Sequence, residues 1–130
     1  MVQPDTVPQI ELNSGHKMFQ LGLGSFQSTP AEVKAIVKAA IIHNGYRHID
    51  TAAVYENEEA IGEALKEVFA ESAIKREDLF ITTKLWQSGR DDVEAAISAS
   101  IQKLGCEYLD LYLIHWVNVA IDHENAIIKK

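Results

Sequence analysis

Apolar residues recur in this 130-residue chain with two alternating periods. In three stretches they lie three and four residues apart, which is the spacing of one buried face of an α-helix. Between these stretches lie short runs rich in Ile, Leu, Thr and Phe, which favour β-strands. The order after an initial hairpin is β-α-β-α-β-α-β. Strands that alternate with helices of this length predict parallel βαβ units and an α/β fold.

The predicted hairpin spans residues 9–20. Gln9–Leu12 and Lys17–Gln20 flank Asn13–His16, which contains residues that accept turn conformations. Leu21–Phe26 is predicted to be a short strand that runs into a loop. Its two glycines allow close approach of either another strand or a phosphate, but the third glycine of the dinucleotide fingerprint is missing.

Each predicted helix has signals at its ends. The segment 29–32 (Thr-Pro-Ala-Glu) predicts a capping box, and Gly45 ends that helix. The second helix starts near Asn57, and the third runs from about 91 to 104 and stops at Gly105. The residues expected to face the core are Val33, Ile36, Val37, Ala40 and Ile41; Ile61, Ala64, Leu65, Val68 and Phe69; and Val93, Ala96, Ile97 and Ile101.

The remaining strands are predicted at Arg47–Thr51, Asp78–Trp86 and Tyr108–His115. The last is apolar on both faces apart from Asp110, which is typical of a barrel strand with helices outside and a filled interior. Residues 117–130 show no period and are predicted to be an irregular tail.

Composition narrows the function classes. The net charge of −7 argues against nucleic acid as a partner. Cys106 is the sole cysteine, so it forms no internal disulfide; it is expected to be buried, and a reducing compartment is the simpler interpretation. The first eight residues lack the pattern of a signal peptide, and no apolar run reaches the roughly 20 residues that span a bilayer. A soluble cytoplasmic protein is therefore expected.

Four groups capable of acid-base chemistry lie at or just past predicted strand ends: Asp50, Tyr55, Lys84 and His115. Parallel α/β folds place their reacting groups at the carboxyl ends of strands. Side chains alternate faces along a strand, so Asp50, Lys84 and His115 are expected to point inward at one mouth. Tyr55, on the loop after the second strand, must fold back over that mouth.

This set of groups suits protonation of a carbonyl oxygen. A nearby ammonium favours the phenolate form, so Lys84 would make Tyr55 a better proton shuttle at neutral pH. Asp50 would hold that ammonium, and His115 would orient the carbonyl oxygen. A cofactor must deliver the hydride, because no side chain donates one. A metal site made from Asp50, His48 and His115 is disfavoured, because no closely spaced ligand cluster supports it.

Each of the four residues also has an ordinary structural interpretation. Asp50 could cap a helix or pair with Arg47. Tyr55 could be a surface aromatic, Lys84 a solvated charge at a strand end, and His115 a hydrogen-bonded core histidine. The joint occurrence of four complementary groups at successive strand ends favours a site.

The chain resembles the aldo-keto reductase family in four segments: Gly45–Glu59, Ile81–Trp86, Leu109–Trp116 and, for the first strand, Leu21–Phe26. The resemblance extends from about residue 9 to residue 116. It implies a parallel (β/α)8 barrel of TIM type whose N-terminal hairpin closes the base. It also implies NADPH-dependent reduction of aldehydes and ketones.

The resemblance further implies a role for each matching residue. Tyr55 is the proton donor assisted by Lys84, Asp50 pairs with Lys84, and His115 orients the substrate carbonyl. The cofactor-binding residues are Gly24, Ser25, Phe26 and Asp50, and the residues lining the substrate pocket are Phe26, Val54, Trp86, His115 and Trp116.

Two departures from the family pattern stand out. Val117 replaces the usual proline after His-Trp. The chain also ends after its fourth strand, whereas such a barrel needs roughly 250 residues. We therefore expect residues 1–130 to form one incomplete domain, an N-terminal half-barrel with open edges at its first and fourth strands. It could be a fragment of a longer reductase, a half that associates with another, or a poorly folding chain. The alternative function is a non-catalytic partner of a full-length relative or of itself.

Overall fold

One parallel sheet, preceded by an antiparallel hairpin, organises the computed structural model, which describes residues 7–116. The element bounds, in chain order, are β1 (Gln9–Glu11) and β2 (Lys17–Phe19) in the hairpin, then β3 (Leu23–Gly24), β4 (His48–Asp50), β5 (Phe80–Leu85) and β6 (Leu111–Ile114) in the sheet. The sheet strands are neighbours in the order β3-β4-β5-β6, and every pairing is parallel.

Three helices connect successive sheet strands: α1 (Pro30–Asn44), α2 (Glu58–Glu71) and α3 (Val93–Leu104). Each is therefore the crossover of one βαβ unit, as the sequence pattern predicts. Short 3-10 turns lie at Ala53–Tyr55, Arg76–Asp78 and Gln87–Gly89. The predicted order of elements is confirmed, although the strands are shorter than predicted.

The ends of α1 follow the predicted local chemistry. The Glu32 amide donates to the Thr29 hydroxyl oxygen over 3.3 Å, and the Thr29 amide donates to the Glu32 carboxylate over 2.9 Å. Pro30 occupies the first turn. Gly45 closes the helix with φ 75°, a left-handed conformation that costs glycine little because it has no Cβ. The capping box and the glycine stop are both confirmed.

The hydrophobic core lies between the sheet and the three helices. From the sheet, Ile49 and Ile81 face the helices, while their neighbours along each strand face the other side. The fully buried cluster comprises Val33, Val37, Ile41, Ile49, Ile61, Ala64, Leu65, Val68, Leu79, Ile81 and Leu104. The opposite face of the sheet, which corresponds to a barrel interior, carries the polar strand-end side chains.

Two residues predicted to be buried are exposed instead. Ile36 is 46% exposed, because it lies about 160° around α1 from Lys34, on the flank turned away from α2. Val93 is 40% exposed. It starts α3 about 16 Å along the axis from Leu104, which packs against Gly62 of α2.

The fourth sheet strand also differs from its prediction. It begins at Leu111 rather than near Tyr108, because the Asp110 carboxylate accepts the Ile81 amide over 2.8 Å in place of a main-chain carbonyl. Both faces of this strand are apolar, as the sequence shows, but they are not covered: Leu113 is 40% and Ile114 61% exposed. Within residues 7–116, β6 pairs with β5 alone, so its outer edge and outer face lack cover.

The hairpin lies at the amino end of the sheet. The His48 imidazole, at the start of β4, makes hydrogen bonds of 3.0 Å with the Phe19 carbonyl and of 3.0 Å with the Thr82 hydroxyl. A Cβ at Gly22 would lie 2.9 Å from the same imidazole, so this glycine permits close packing on a neighbouring strand. The polar strand-end residues are therefore at the opposite, carboxyl end.

The remaining predictions concern Cys106, which was expected to be buried, and the irregular tail. Cys106 is half-buried, and burial raises the pKa of its thiol. The predicted tail at 117–130 lies outside the described residues. No helix of the described part has the length and apolar character that a membrane span needs.

Candidate active site

The four candidate residues converge at the carboxyl end of the sheet. Asp50 ends β4, Lys84 stands one residue before the end of β5, and His115 follows β6. The register aligns Asp50 with Thr82 and Lys84 with Leu113, so alternation puts Asp50, Lys84 and His115 on one face. Tyr55 ends the 3-10 turn after β4, with its amide donating to the Ala52 carbonyl over 3.0 Å.

Lys84 and Asp50 form an ion pair. The Lys84 ammonium donates to the Asp50 carboxylate over 2.6 Å and to the Thr51 carbonyl over 2.8 Å. The Lys84 side chain is 14% exposed, and that of Asp50 is 37% exposed. An ammonium so shielded from water needs hydrogen-bond partners, and the Asp50 carboxylate and the Thr51 carbonyl are those partners. Lys84 is therefore not a solvated strand-end charge.

Tyr55 lies over this ion pair. The Lys84 ammonium is 5.2 Å from the centre of the Tyr55 ring, within the range of a cation–π contact. The Tyr55 side chain is half-buried. The aromatic ring thus covers the ammonium.

His115 is surrounded by aromatic rings. Its ring centre is 5.5 Å from that of Tyr55 and 5.2 Å from that of Trp86, with edge-on geometry in both cases. The pKa of His115 is lowered, mainly by burial and secondly by the positive charge of Lys84. The negative charge of Asp50 raises this pKa but does not reverse the shift. The neutral imidazole is therefore favoured. Its buried Nδ1 makes no hydrogen bond with any residue of the described part.

The predicted pocket residues extend the aromatic wall. The Phe26 ring is 64% exposed and lies 5.0 Å from the Tyr55 ring. Trp116 is 57% exposed and stacks parallel to the His115 imidazole at 6.3 Å. Val54 is half-buried on the same turn as Tyr55. Tyr55, Trp86 and Trp116 thus lie around the His115 imidazole, and Tyr55 also lies over the ion pair. Phe26 extends this aromatic group through its contact with Tyr55.

The predicted cofactor loop begins at the end of β3. The Ser25 amide donates to the Asp50 carbonyl over 3.0 Å, which ties this loop to β4. Ser25 is buried, and its hydroxyl finds no hydrogen-bond partner among residues 7–116. A Cβ at Gly24 would meet no atom within 4 Å. This loop therefore offers open space beside Asp50 and contains a buried hydroxyl that lacks a hydrogen-bond partner among the described residues.

The structure shows the partners of Arg47 and His48, two residues considered as neighbours of Asp50 in the sequence analysis. Arg47 donates to the Ile41 carbonyl over 3.0 Å and to the Tyr46 carbonyl over 2.8 Å, and it does not pair with Asp50. His48 is held at the opposite end of β4 from Asp50. In the part of the chain that is described, no group of three His, Cys, Asp or Glu residues could hold a metal ion.

Sequence reasoning missed the partners of two buried polar residues at the start of α2. Asn57 is the N-cap residue of α2, but its side chain bonds none of the first helical amides and instead reaches the loop after β3. Glu58 is 2% exposed and accepts hydrogen bonds from Thr83 over 2.7 Å and from Ser100 over 3.3 Å. Both partnerships join residues at least 25 positions apart, so the local pattern could not reveal them.

The arrangement has a defined chemical capacity. A phenol, a neutral imidazole and a carboxylate-bound ammonium lie together at the carboxyl end of the sheet, with aromatic rings beside them. Such a set can donate hydrogen bonds to a carbonyl oxygen and transfer a proton to it. Within the described residues, the site contains no Ser-His or Cys-His pair of the kind used in nucleophilic catalysis.

Comparison with known proteins gives a consistent result. The Aldo/keto reductase family model matches residues 18–128. Aldo-keto reductase family 1 member A1 of Rattus norvegicus is 51% identical over 114 residues, covering 85% of this chain and 35% of that protein. Methylglyoxal reductase DkgA of Yersinia pestis is 47% identical over 116 residues, covering 89% of this chain and 40% of that protein.

A solved structure shares the fold. The Bombyx mori aldo-keto reductase, crystallised in complex with NADP, superposes with a TM-score of 0.81 at 44% sequence identity. The match covers 89% of this chain and 39% of that protein. The chain thus spans about two fifths or less of the length of these relatives, and its sheet and helices correspond to part of a TIM-type barrel.

Proposed function

The chain belongs to the aldo-keto reductase family, and on that premise we propose that it carries the proton-transfer site of an NADPH-dependent reductase. The reaction is the reduction of an aldehyde or ketone to an alcohol. The observation that carries the proposal is the convergence of Asp50, Tyr55, Lys84 and His115 at one end of the sheet. Because the chain spans only part of its relatives' length, the activity of the whole protein is part of the proposal.

Tyr55 is the proposed general acid. Its hydroxyl gives a proton to the carbonyl oxygen as hydride reaches the carbonyl carbon. The Lys84 ammonium, 5.2 Å from the ring centre, stabilises the negative charge that develops on the phenol oxygen. Asp50 keeps that ammonium in place, 2.6 Å away. The phenolate is then reprotonated from solvent.

His115 is the proposed orienting group. Its lowered pKa favours the neutral imidazole, which donates one hydrogen bond and adds no positive charge beside Lys84. The Tyr55 ring lies 5.5 Å from the imidazole ring, so one carbonyl oxygen could accept from both groups. This arrangement would fix the carbonyl in a single orientation.

The nicotinamide cofactor supplies the hydride when it is bound. Gly24, Ser25, Phe26 and Asp50 are the residues of this chain proposed to hold it. The open space at Gly24 and the unbonded Ser25 hydroxyl fit a polar ligand at that loop. NADP in the Bombyx mori relative supports the choice of cofactor.

The substrate class follows from the walls of the opening. Phe26, Val54, Trp86 and Trp116 present mainly apolar surface beside His115. Such surface favours carbonyl compounds with an apolar or aromatic substituent. A cytoplasmic location remains part of the proposal, since a chain with a single cysteine needs no oxidising compartment.

A second candidate function is association without catalysis. The observation that favours it is the outer face of β6, where Ile114 is 61% exposed beside an edge that lacks a partner strand within residues 7–116. Unpaired strand edges of this kind recruit other strands. A second copy or a full-length relative would fit this edge.

Titration of the purified chain with NADPH tests the proposed function. Trp86 and Trp116 lie beside the opening, so their fluorescence should fall saturably as the cofactor binds. Addition of an aromatic aldehyde should then oxidise the cofactor. A folded, monomeric chain with no saturable quenching would remove the reductase proposal, and a dimer without quenching would favour association.

A further inference from the structure

Asn57 connects three segments around the candidate site. Its side-chain amide donates to the Ser25 carbonyl over 2.9 Å and to the Ser28 carbonyl over 3.2 Å. Its carbonyl oxygen accepts from the Thr51 hydroxyl over 3.3 Å. Asn57 is 1% exposed, so these bonds form away from competing water. One residue thus joins the loop after β3, the end of β4 and the start of α2.

The segments that Asn57 joins are held in unfavourable backbone conformations. Gln27 has φ 59° and lies between the two carbonyls that Asn57 binds. Glu56, immediately before Asn57, has φ 55°. This left-handed conformation is uncommon for a residue with a Cβ and costs free energy unless the surroundings stabilise it. Contacts from outside the loop help to hold such a conformation at Gln27, and the Asn57 amide supplies two of them.

Phe26 depends on this loop for its position. It lies inside the span 25–28, and its ring is 64% exposed, so packing fixes it only weakly. Even so, the ring lies 5.0 Å from the Tyr55 ring, two residues before Asn57. We propose that Asn57 is a positioning residue, whose amide holds the 25–28 loop against the Tyr55 turn and so sets the Phe26–Tyr55 contact at the mouth.

The structural part of this proposal is independent of catalysis, whereas its effect on turnover rests on the proposed reductase function. Displacement of the loop would move Phe26 relative to the phenol, and with it the wall that guides a carbonyl compound. A misplacement of about 1 Å in such a site lowers turnover by up to about 100-fold. Positioning and turnover are therefore measured separately.

Asn57→Asp is the main variant. It preserves the shape of the side chain but replaces the amide donor with a carboxylate oxygen that faces the Ser25 and Ser28 carbonyls. Thr83→Val is the matched control. It also removes a buried hydrogen bond, the 2.7 Å bond from Thr83 to Glu58, but this bond lies on the helix side of the sheet. The readout is the set of NMR cross-peaks between the Phe26 and Tyr55 ring protons, recorded on the full chain without cofactor.

The expected result is loss of these cross-peaks in Asn57→Asp and their retention in Thr83→Val. Retention in a folded Asn57→Asp chain, or equal loss in both variants, would overturn the proposal. If Asn57→Asp does not fold, Asn57→Ala replaces it; failure of both to fold would make Asn57 a folding determinant and also overturn the proposal. Absence of turnover in the unmodified chain would count against the reductase function alone, since the cross-peaks report position.

Discussion

The Lys84 ammonium lies 2.6 Å from the Asp50 carboxylate, and the two residues stand at the carboxyl ends of adjacent strands. The Tyr55 ring lies over this pair, with its centre 5.2 Å from the Lys84 ammonium. Its two members are shielded from water to different extents, with Lys84 the more buried. Removal of either residue alone would therefore leave a charge poorly compensated.

A double-mutant cycle with Lys84→Met and Asp50→Asn should reveal this coupling. We expect a coupling free energy of about 1–2 kcal/mol, because the pair is only partly buried. Urea denaturation of the two single variants, the double variant and the unmodified chain measures it. The matched control is the Lys34–Glu63 pair, whose side chains are 34% and 60% exposed and whose coupling should be smaller. Equal coupling in the two cycles would show that burial does not strengthen the site pair.

The stability of the chain should depend on the protonation of His115. Burial lowers the pKa of His115 in the folded state. As the pH falls through the unfolded value of about 6.5, the unfolded chain therefore binds more protons than the folded chain does. The free energy of unfolding should therefore be fully retained above that pH and decrease below it. In His115→Gln this decrease should be shallower between about pH 7 and pH 5. Parallel curves for the two proteins would contradict the prediction.

Gly62→Ala should destabilise the packing of α2 on α3. A Cβ at this position would lie 2.9 Å from the Leu104 carbonyl carbon, which is backbone and cannot rotate away. We expect a loss of roughly 1–3 kcal/mol in the free energy of unfolding, measured by urea denaturation. Gly24→Ala is the control, because a Cβ there meets no atom within 4 Å and its stability should be nearly unchanged. Similar losses in both variants would mean that the close helix approach does not limit stability.

Features encoded by adjacent residues could be predicted from the sequence. The capping box at Thr29 and the stop at Gly45 depend on residues within one turn, and both form as expected. The shared face of Asp50, Lys84 and His115 was expected from strand alternation, and the register of the strands agrees with it. These local rules were sufficient to identify the end of the sheet where the candidate site lies.

Features that depend on distant partners could not be predicted. Periodicity assigned Ile36 and Val93 to the buried faces of their helices, but both are exposed. Burial also requires that another element pack against the helix at the position of that residue. Local sequence places Glu58 in the first turn of α2, but it does not show that Thr83 and Ser100 bind its carboxylate in the interior. The role of Asn57 likewise depends on carbonyls that lie 29 and 32 residues away.

Aldehyde-dependent oxidation of NADPH by the unmodified chain and by Tyr55→Phe tests the central claim most directly. The substitution removes the phenol oxygen but keeps the ring that lies 5.0 Å from Phe26 and 5.5 Å from His115. We predict turnover in the unmodified chain and a fall of about 100-fold or more in Tyr55→Phe, with tryptophan quenching by NADPH preserved. Turnover within about threefold of the unmodified chain, or none at all from a folded chain that binds NADPH, would contradict the assignment of Tyr55 as the proton donor of a working site.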